Sequence, residues 1–209
     1  MVYQNVNIIP ALKNRLSRPL PGLRAQLRMA PSFRSTITKN HKVPRAGVLI
    51  LLYQGPDGLR IVFMKRPEYD GVHSGQISFP GGKEERSDQS IIHTALRETK
   101  EEIGIPVESI QVLGSLTPLY IPVSETEVFP TVGYSIQMPV FQTDPHEVDY
   151  LIETDLEAFF DPSILKTKPY NHGKFIGEIP FFDIQGNHVW GATAMILSEF
   201  LEIIEHLED

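Results

Sequence analysis

Three carboxylates, Glu98, Glu101 and Glu102, crowd into the second half of the segment IIHTALRETKEEI, which runs from Ile91 to Ile103. On a helical wheel at about 100° per residue, with Ile91 at zero, Ile92, Ala95, Leu96, Thr99 and Ile103 span an arc up to about 140° and form a core stripe. Glu101, Glu98 and Glu102 lie near about 280°, 340° and 20°, so the acids run up to the apolar stripe and slightly into it. Glu98 and Glu102 are, besides, a like-charged i,i+4 pair. Carboxylates about 5 Å apart repel by roughly 3 kcal/mol at an effective dielectric near 20, and the C-terminal end of a helix disfavours anions further. A hard divalent cation taken up through oxygen ligands, Mg²⁺ or Mn²⁺, would offset this. So would Arg97 pairing with Glu101 one turn on, as in an ordinary ion-paired helix. The wheel leaves both open.

The neighbouring segments must position these groups. Asp88 or Ser90 can cap the helix at its start and Gly104 can stop it. Ahead of it stands SFPGGKEERSD, residues 78 to 88, whose Gly81-Gly82 reads as a turn or as a holder of a reacting group. Earlier still, AGVLILLYQGPDGLRIVFMKRP places two apolar, β-branched runs around Gly55-Pro56-Asp57-Gly58, which predicts a β-hairpin. Further strands are expected at Ile110 to Leu116, Val128 to Gln137 and Ile176 to Ile184. A short helix is expected at Leu156 to Phe160 and a terminal one at Ala192 to Leu207. Strands and helices mixed along the chain predict an α/β or α+β sandwich.

The 209 residues suit one domain with an extension. Residues 1–44 hold a short helical stretch at Ile8 to Leu16 and then lose periodicity at Pro19, Pro21 and Pro31, which reads as an arm packed on the domain of residues 45–209. The arm's arginines, Arg15, Arg18, Arg24, Arg28 and Arg34, read as a solvated face in preference to the alternative, a phosphate-binding arm. A net charge of −7 argues against nucleic acid or anionic membrane as a partner. The absence of cysteine excludes disulfides, thiolate catalysis and cysteine-ligated zinc. The N-terminal residues lack the pattern of a secretory signal, so a cytoplasmic location is expected. His73, His93, His146, His172 and His188 show no ligand spacing, and Trp190 reads as core in preference to a base-stacking platform.

Gly82 followed by LRETKEEIGI, Leu96 to Ile105, resembles the Nudix box of the Nudix hydrolases: Arg97, Glu98, Thr99, Glu101, Glu102, Gly104 and Ile105 fit its second half. Asp88 stands where the general pattern has Glu, and Arg97 comes one residue late. Both features are familiar in the coenzyme A pyrophosphatase-like branch, whose upstream motif is matched by Arg66, Gly75, Phe79, Pro80, Gly81 and Gly82. VFPTVGY from Val128 and VWGATAMIL from Val189 resemble that branch's later segments. Gly71 stands where the branch carries a second arginine.

The resemblance implies an α/β/α sandwich with a mixed sheet in a single domain, and Mg²⁺- or Mn²⁺-dependent hydrolysis of a nucleoside diphosphate linked to another moiety. Its first candidate substrate is coenzyme A or a derivative, cleaved to 4'-phosphopantetheine and adenosine 3',5'-bisphosphate. ADP-ribose, dinucleotides or nucleoside triphosphates are the alternative substrates, and a non-catalytic nucleotide sensor is the alternative class. Carried over by position, Glu98, Glu101 and Glu102 are metal ligands, with the carbonyl of Gly81 beside them. Arg97, Glu98 and Glu101 are catalytic, Arg97 by orienting a carboxylate. Arg66, Phe79, Gly82, Tyr120 and Phe129 face the substrate, with Tyr120 and Phe129 stacking on adenine. Glu147, in the loop TDPHEVDYL, is a candidate general base beside Glu98, although it reads more readily as a solvated loop acid. The expected partner is a small nucleotide, with a homodimer open.

Overall fold

The computed structural model describes residues 8–34, 41–70, 74–172 and 175–207. Gly71 and His73, singled out above, lie outside the described residues. Strands β1 (Arg45–Gln54) and β2 (Leu59–Lys65) form the expected hairpin, with Leu52 opposite Ile61 and Gln54 opposite Leu59. Away from the turn the two strands part. Strand β3 (Ile77–Ser78) pairs with β2 at Met64 and Lys65, while β4 (Gly81–Lys83) pairs with β1 from Ala46 to Val48. Residues 77–83 therefore fill the gap as a wedge. Phe79 is its buried point, 2% exposed and stacked on Phe63 with ring centroids 4.9 Å apart. Pro80 lends its carbonyl to the Leu49 N–H at 2.9 Å.

On its other edge β1 runs parallel to β7 (Thr126–Ser135), and the remaining pairings among the described residues of this sheet are antiparallel. Strands β5 (Ile110–Ser115) and β6 (Leu119–Ile121) flank β7, and β8 (Tyr150–Asp155) flanks β2. The two-residue period of β1 sends alternate side chains to opposite faces. Leu49, Leu51 and Tyr53 meet Ala95, Leu96 and Ile103 of helix α3 (Ile91–Ile103). Ile50 and Leu52 belong to the core shared with α4 (Gly191–Glu205) and α1 (Ile8–Leu16). The sheet is thus mixed, with helices on both faces, as an α/β/α sandwich requires.

A second, antiparallel sheet of β9 (Leu165–His172), β10 (Phe175–Ile184) and β11 (Asn187–Trp190) joins the α4 side through Phe182, Ile184 and Val189. Neither β8 nor β9 was expected, because LKTKPYNH of β9 is largely exposed and shows no alternation. The short helix expected at Leu156–Phe160 is present and is a 3-10 helix. Among the described residues no helix is long and apolar enough to cross a membrane.

The arm docks through buried acids on α4. Glu199, fully buried, accepts from the Gly22 N–H at 3.1 Å, from Gln26 Nε2 in α2 (Leu23–Gln26) at 2.8 Å, and from Thr117 Oγ1 at 2.6 Å. Glu202 takes ion pairs from Arg24 and Arg28. Arg34 donates from Nη2 to the Tyr120 carbonyl at 2.6 Å. The expectation of a purely solvated arginine set is corrected: burying Glu199 and Glu202 demands partners, and for Glu202 the arm's cations are those partners.

Candidate active site

Helix α3 begins at Ser90, whose Oγ accepts from the His93 N–H at 3.1 Å. Asp88, the other candidate cap, turns inward and is wholly buried at its side chain. It accepts from Arg97 Nε at 3.0 Å and Nη2 at 3.1 Å, from Thr94 Oγ1 at 2.9 Å and from the Glu85 N–H at 2.9 Å, with His93 Nδ1 also at 2.9 Å. These bonds, Arg97's foremost, hold the Asp88 carboxyl well below the usual carboxylate range. Arg97 then reaches from Nη1 to Glu98 at 3.0 Å and Glu101 at 2.8 Å, and from Nη2 to the Lys83 carbonyl at 3.2 Å.

Two glycines let this helix press on the sheet. A Cβ on Gly47 would come within 2.9 Å of the Ala95 nitrogen, and one on Gly82 would fall inside the Glu98 carboxylate. Gly81 holds a φ of 150°, and its N–H donates to Glu102 Oε2 at 2.7 Å. Glu102 is 1% exposed. Arg66 Nη2 lies between it, at 3.3 Å, and the Gly81 carbonyl, at 3.1 Å. The Gly81 carbonyl, expected to face a metal, therefore faces a guanidinium. Burial pushes the Glu102 carboxyl up to about 8 against the pull of Arg66 and the Gly81 N–H, and Glu98 and Glu147 add to the rise. Burial raises Glu98 as well.

Glu147 arrives because its loop hangs on the end of α3. Gly104, at a φ of 76°, lies against Gln142 with no room for a Cβ. The helix carbonyls of Ile103 and Glu102 accept from the N–H groups of Gln142 at 3.0 Å and Asp144 at 2.9 Å, and the Glu147 N–H closes a turn onto Asp144 at 3.1 Å. Oxygens of Glu98, Glu102 and Glu147 consequently lie within 4.8 Å of one another. Among the described residues Glu147 has neither an ion-pair nor a side-chain hydrogen-bond partner. Glu101, expected in the ligand set, stays outside it, 57% exposed at its side chain and paired with Arg97. Three hard oxygen donors offset, among the described residues, by Arg66 and Arg97 fit a divalent cation.

The wedge and Arg66 also line a cleft of about 1330 Å³. Gly81 and Gly82, in its lining, lie against Glu102 and Glu98, which are not themselves among the lining residues. Phe79 contributes to its floor but is a core residue, held by Phe63. Tyr120 and Phe129, expected to stack on a base, are not in its lining. Strand alternation puts Ile121 and Val128 there instead and leaves Phe129 beneath the Arg45 guanidinium, 4.6 Å from ring centroid to Cζ. Trp190, expected in the core, is half-buried on the cleft wall with Phe33 and Tyr170. No pattern within either segment would have joined Phe33 and Tyr170, because an untemplated arm and an unexpected strand bring them together.

A mixed α/β/α sandwich whose glycine wedge abuts a carboxylate-bearing helix defines the Nudix fold. The NUDIX domain family model matches residues 43–167, and the chain belongs to the Nudix family and is a Nudix hydrolase. It is 36% identical over 181 residues to the uncharacterized Nudix hydrolase NudL of Pectobacterium atrosepticum, covering 84% of this chain and 88% of that protein. It is 33% identical over 196 residues to the mitochondrial coenzyme A diphosphatase NUDT8 of Homo sapiens, covering 91% and 77%. A solved MutT/nudix family protein of Enterococcus faecalis shares the fold with a TM-score of 0.52 at 17% identity, over 83% of this chain and 67% of that one. Nudix hydrolases act on small nucleotide substrates and generally use divalent metals.

Proposed function

We propose that this hydrolase cleaves the diphosphate of coenzyme A or a derivative with Mg²⁺ or Mn²⁺, giving 4'-phosphopantetheine and adenosine 3',5'-bisphosphate. The observation that carries the reading is the meeting of Glu98, Glu102 and Glu147 beside Gly81 and Gly82, which line a cleft. The relative named as a coenzyme A diphosphatase supports the choice of substrate.

Glu98 and Glu102 hold the ion, and Glu147, the exposed member, takes the proton of the attacking water. The ion, when bound, screens the anionic phosphates and lowers the cost of bringing water to phosphorus. Arg97, itself fixed by Asp88, holds Glu98 in place. Arg66 steadies Glu102 and faces the cleft, where it meets the phosphates. Water's oxygen bonds to one phosphorus as the bridging P–O bond breaks, and the released phosphate carries the bridging oxygen away. A cytoplasmic setting and a homodimer go with this proposal, read by cell fractionation and by sedimentation.

Purified protein is incubated with Mg²⁺ or Mn²⁺ and coenzyme A, ADP-ribose, NADH or dinucleoside polyphosphates, and products are separated. Coenzyme A is expected to give the highest kcat/KM. Brisk turnover of another diphosphate with coenzyme A untouched would overturn the substrate and leave the chemistry.

A further inference from the structure

Phe33, Tyr170 and Trp190 come from the arm, from β9 and from the end of β11, and all three half-buried rings line the cleft. Phe33 stacks on Tyr170 at 5.3 Å between centroids with 27° between planes, and Tyr170 meets Trp190 at 5.5 Å and 45°. The arm is fastened where it enters this row. Ser32 donates its N–H to the Glu178 carbonyl and accepts the Glu178 N–H at Oγ, both at 2.9 Å, and a Cβ on Gly177 would collide with Ser32. Three rings assembled from distant segments thus line one cleft, and aromatic side chains so placed are what a purine base stacks against.

Next to Phe33 in sequence, Arg34 lines the same cleft. Its Nη2 holds the Tyr120 carbonyl, and among the described residues it has no carboxylate partner. Arg66, by contrast, already has a carboxylate partner in Glu102 and, in the proposed function, lies at the diphosphate, not at the nucleoside. A half-buried guanidinium bound only to a neutral carbonyl keeps an uncompensated charge and further N–H donors, the arrangement that takes an anionic fork such as phosphate. Burial lowers the Arg34 pKa, as expected of a cation short of an anion.

We propose that Phe33, Tyr170, Trp190 and Arg34 form the subsite for a ribose-phosphorylated purine nucleoside: the purine stacks on the aromatic row and Arg34 holds the phosphate monoester on the ribose. The subsite deepens the coenzyme A reading and rests on it for the orientation of substrate, with the diphosphate at the carboxylates and the nucleoside toward the arm.

Trp190 is the only tryptophan in the chain, so its fluorescence reports on the subsite without any turnover. Titration with adenosine 3',5'-bisphosphate is expected to quench it, with a Kd at least tenfold below that of 5'-AMP. Arg34→Ala is expected to abolish that preference while leaving 5'-AMP binding within about twofold, and Phe33→Ala to weaken both ligands about tenfold. Unchanged thermal melting confirms that the arm variants stay folded, and Arg34→Lys, which keeps the charge, should retain part of the preference. Equal affinities in the parent, no binding of either ligand, or a preference that survives Arg34→Ala overturns the subsite. The two proposals separate cleanly. If coenzyme A is not hydrolysed but the preference vanishes in Arg34→Ala, the subsite stands and the substrate reading falls. If coenzyme A is hydrolysed and Arg34→Ala leaves discrimination against dephospho-coenzyme A unchanged, the subsite falls alone.

Discussion

Arg97 grips both oxygens of Asp88, Nε at 3.0 Å and Nη2 at 3.1 Å, inside the joint between the glycine wedge and the helix that bears the site. The Arg97 side chain is 16% exposed and that of Asp88 not at all, so neither charge can fall back on water. Asp88→Ala leaves the Nε and Nη2 side of the Arg97 guanidinium without its carboxylate while Glu98 and Glu101 still hold Nη1, so the cost lies within the roughly 3–5 kcal/mol for breaking a buried pair from one side. Urea denaturation at neutral pH should show that loss, and activity should fall with it because Arg97 no longer fixes Glu98. The sign against pH follows from the depressed Asp88 pKa. Its stabilisation is complete above the ordinary value of 3.8 and is lost as pH falls below it. Asp88→Asn should therefore flatten the acid limb of the stability curve.

Glu102 runs the other way. Its folded pKa of about 8 lies above its ordinary value of 4.5, so folding takes up a proton. In the metal-free protein this group's stability contribution is full below 4.5, declines as pH rises from 4.5 to about 8, and is level above. Glu102→Gln should remove that decline, visible as a urea midpoint higher than the parent's at pH 8. Because only the ionised form binds a cation, metal affinity in the parent should climb toward pH 8. Added Mg²⁺ should reverse the loss of stability at alkaline pH. The same substitution should cost activity at least about 100-fold. A metal-free parent equally stable at pH 5 and pH 8 would rule this account out.

On the proposed reading Glu147 matters more to the reaction than Glu101 does. Glu101 faces solvent and Arg97, while Glu147 joins Glu98 and Glu102. Glu101→Gln should lower kcat by less than about tenfold, the scale of an exposed ion pair. Glu147→Gln should lower it by about 10²- to 10⁴-fold, the range for removing a general base, and leave Mn²⁺ affinity within a few-fold by titration calorimetry. A matching collapse of Mn²⁺ affinity would make Glu147 a ligand instead of the base.

The wheel drawn from sequence carries more than the placement of the core. Glu102 at its inner edge is 1% exposed, Glu98 next to it is 14% exposed at its side chain, and Glu101, furthest out, is 57% exposed. Burial follows the wheel angle because one rigid periodicity sets both. The hairpin, β5, β7, β10, α1 and α4 were legible for the same local reasons. Glu147 was not, since its approach depends on which carbonyls at the end of α3 remain open and on a glycine with no room beyond it. The cleft wall was not, since strand parity decides whether Tyr120 or Ile121 looks inward and parity needs a register. The pull of Asp88 toward Arg97, in place of the cap, is tertiary too: Ser90 already satisfies the helix start.

Gly81 and Gly82 give the most direct test of the geometry. Gly82 pairs with Gly47 across β1 and β4, and the Glu98 carboxylate occupies the space where a Cβ on Gly82 would go. Gly82→Ala must move either the wedge or Glu98. The wedge is tied by Pro80 to Leu49 and by Phe79 to Phe63, whereas Glu98 is a side chain with rotamers to spare. Displacement of Glu98 is the cheaper response, so stability should fall by only about 1–3 kcal/mol, the range for overpacking. Activity should fall about 10²-fold, as a displacement on the order of 1 Å in a catalytic group commands. Gly81→Ala should behave differently. Its added methyl meets backbone, the Gly47 carbonyl and Val48, and its φ of 150° disfavours any side chain. That variant should lose stability more than Gly82→Ala does. Parallel thermal melts and kcat measurements on the two proteins should show the loss falling mainly on activity in one and mainly on folding in the other. Equal losses of stability would mean that Glu98 cannot yield and that the wedge, not the carboxylate, gives way first.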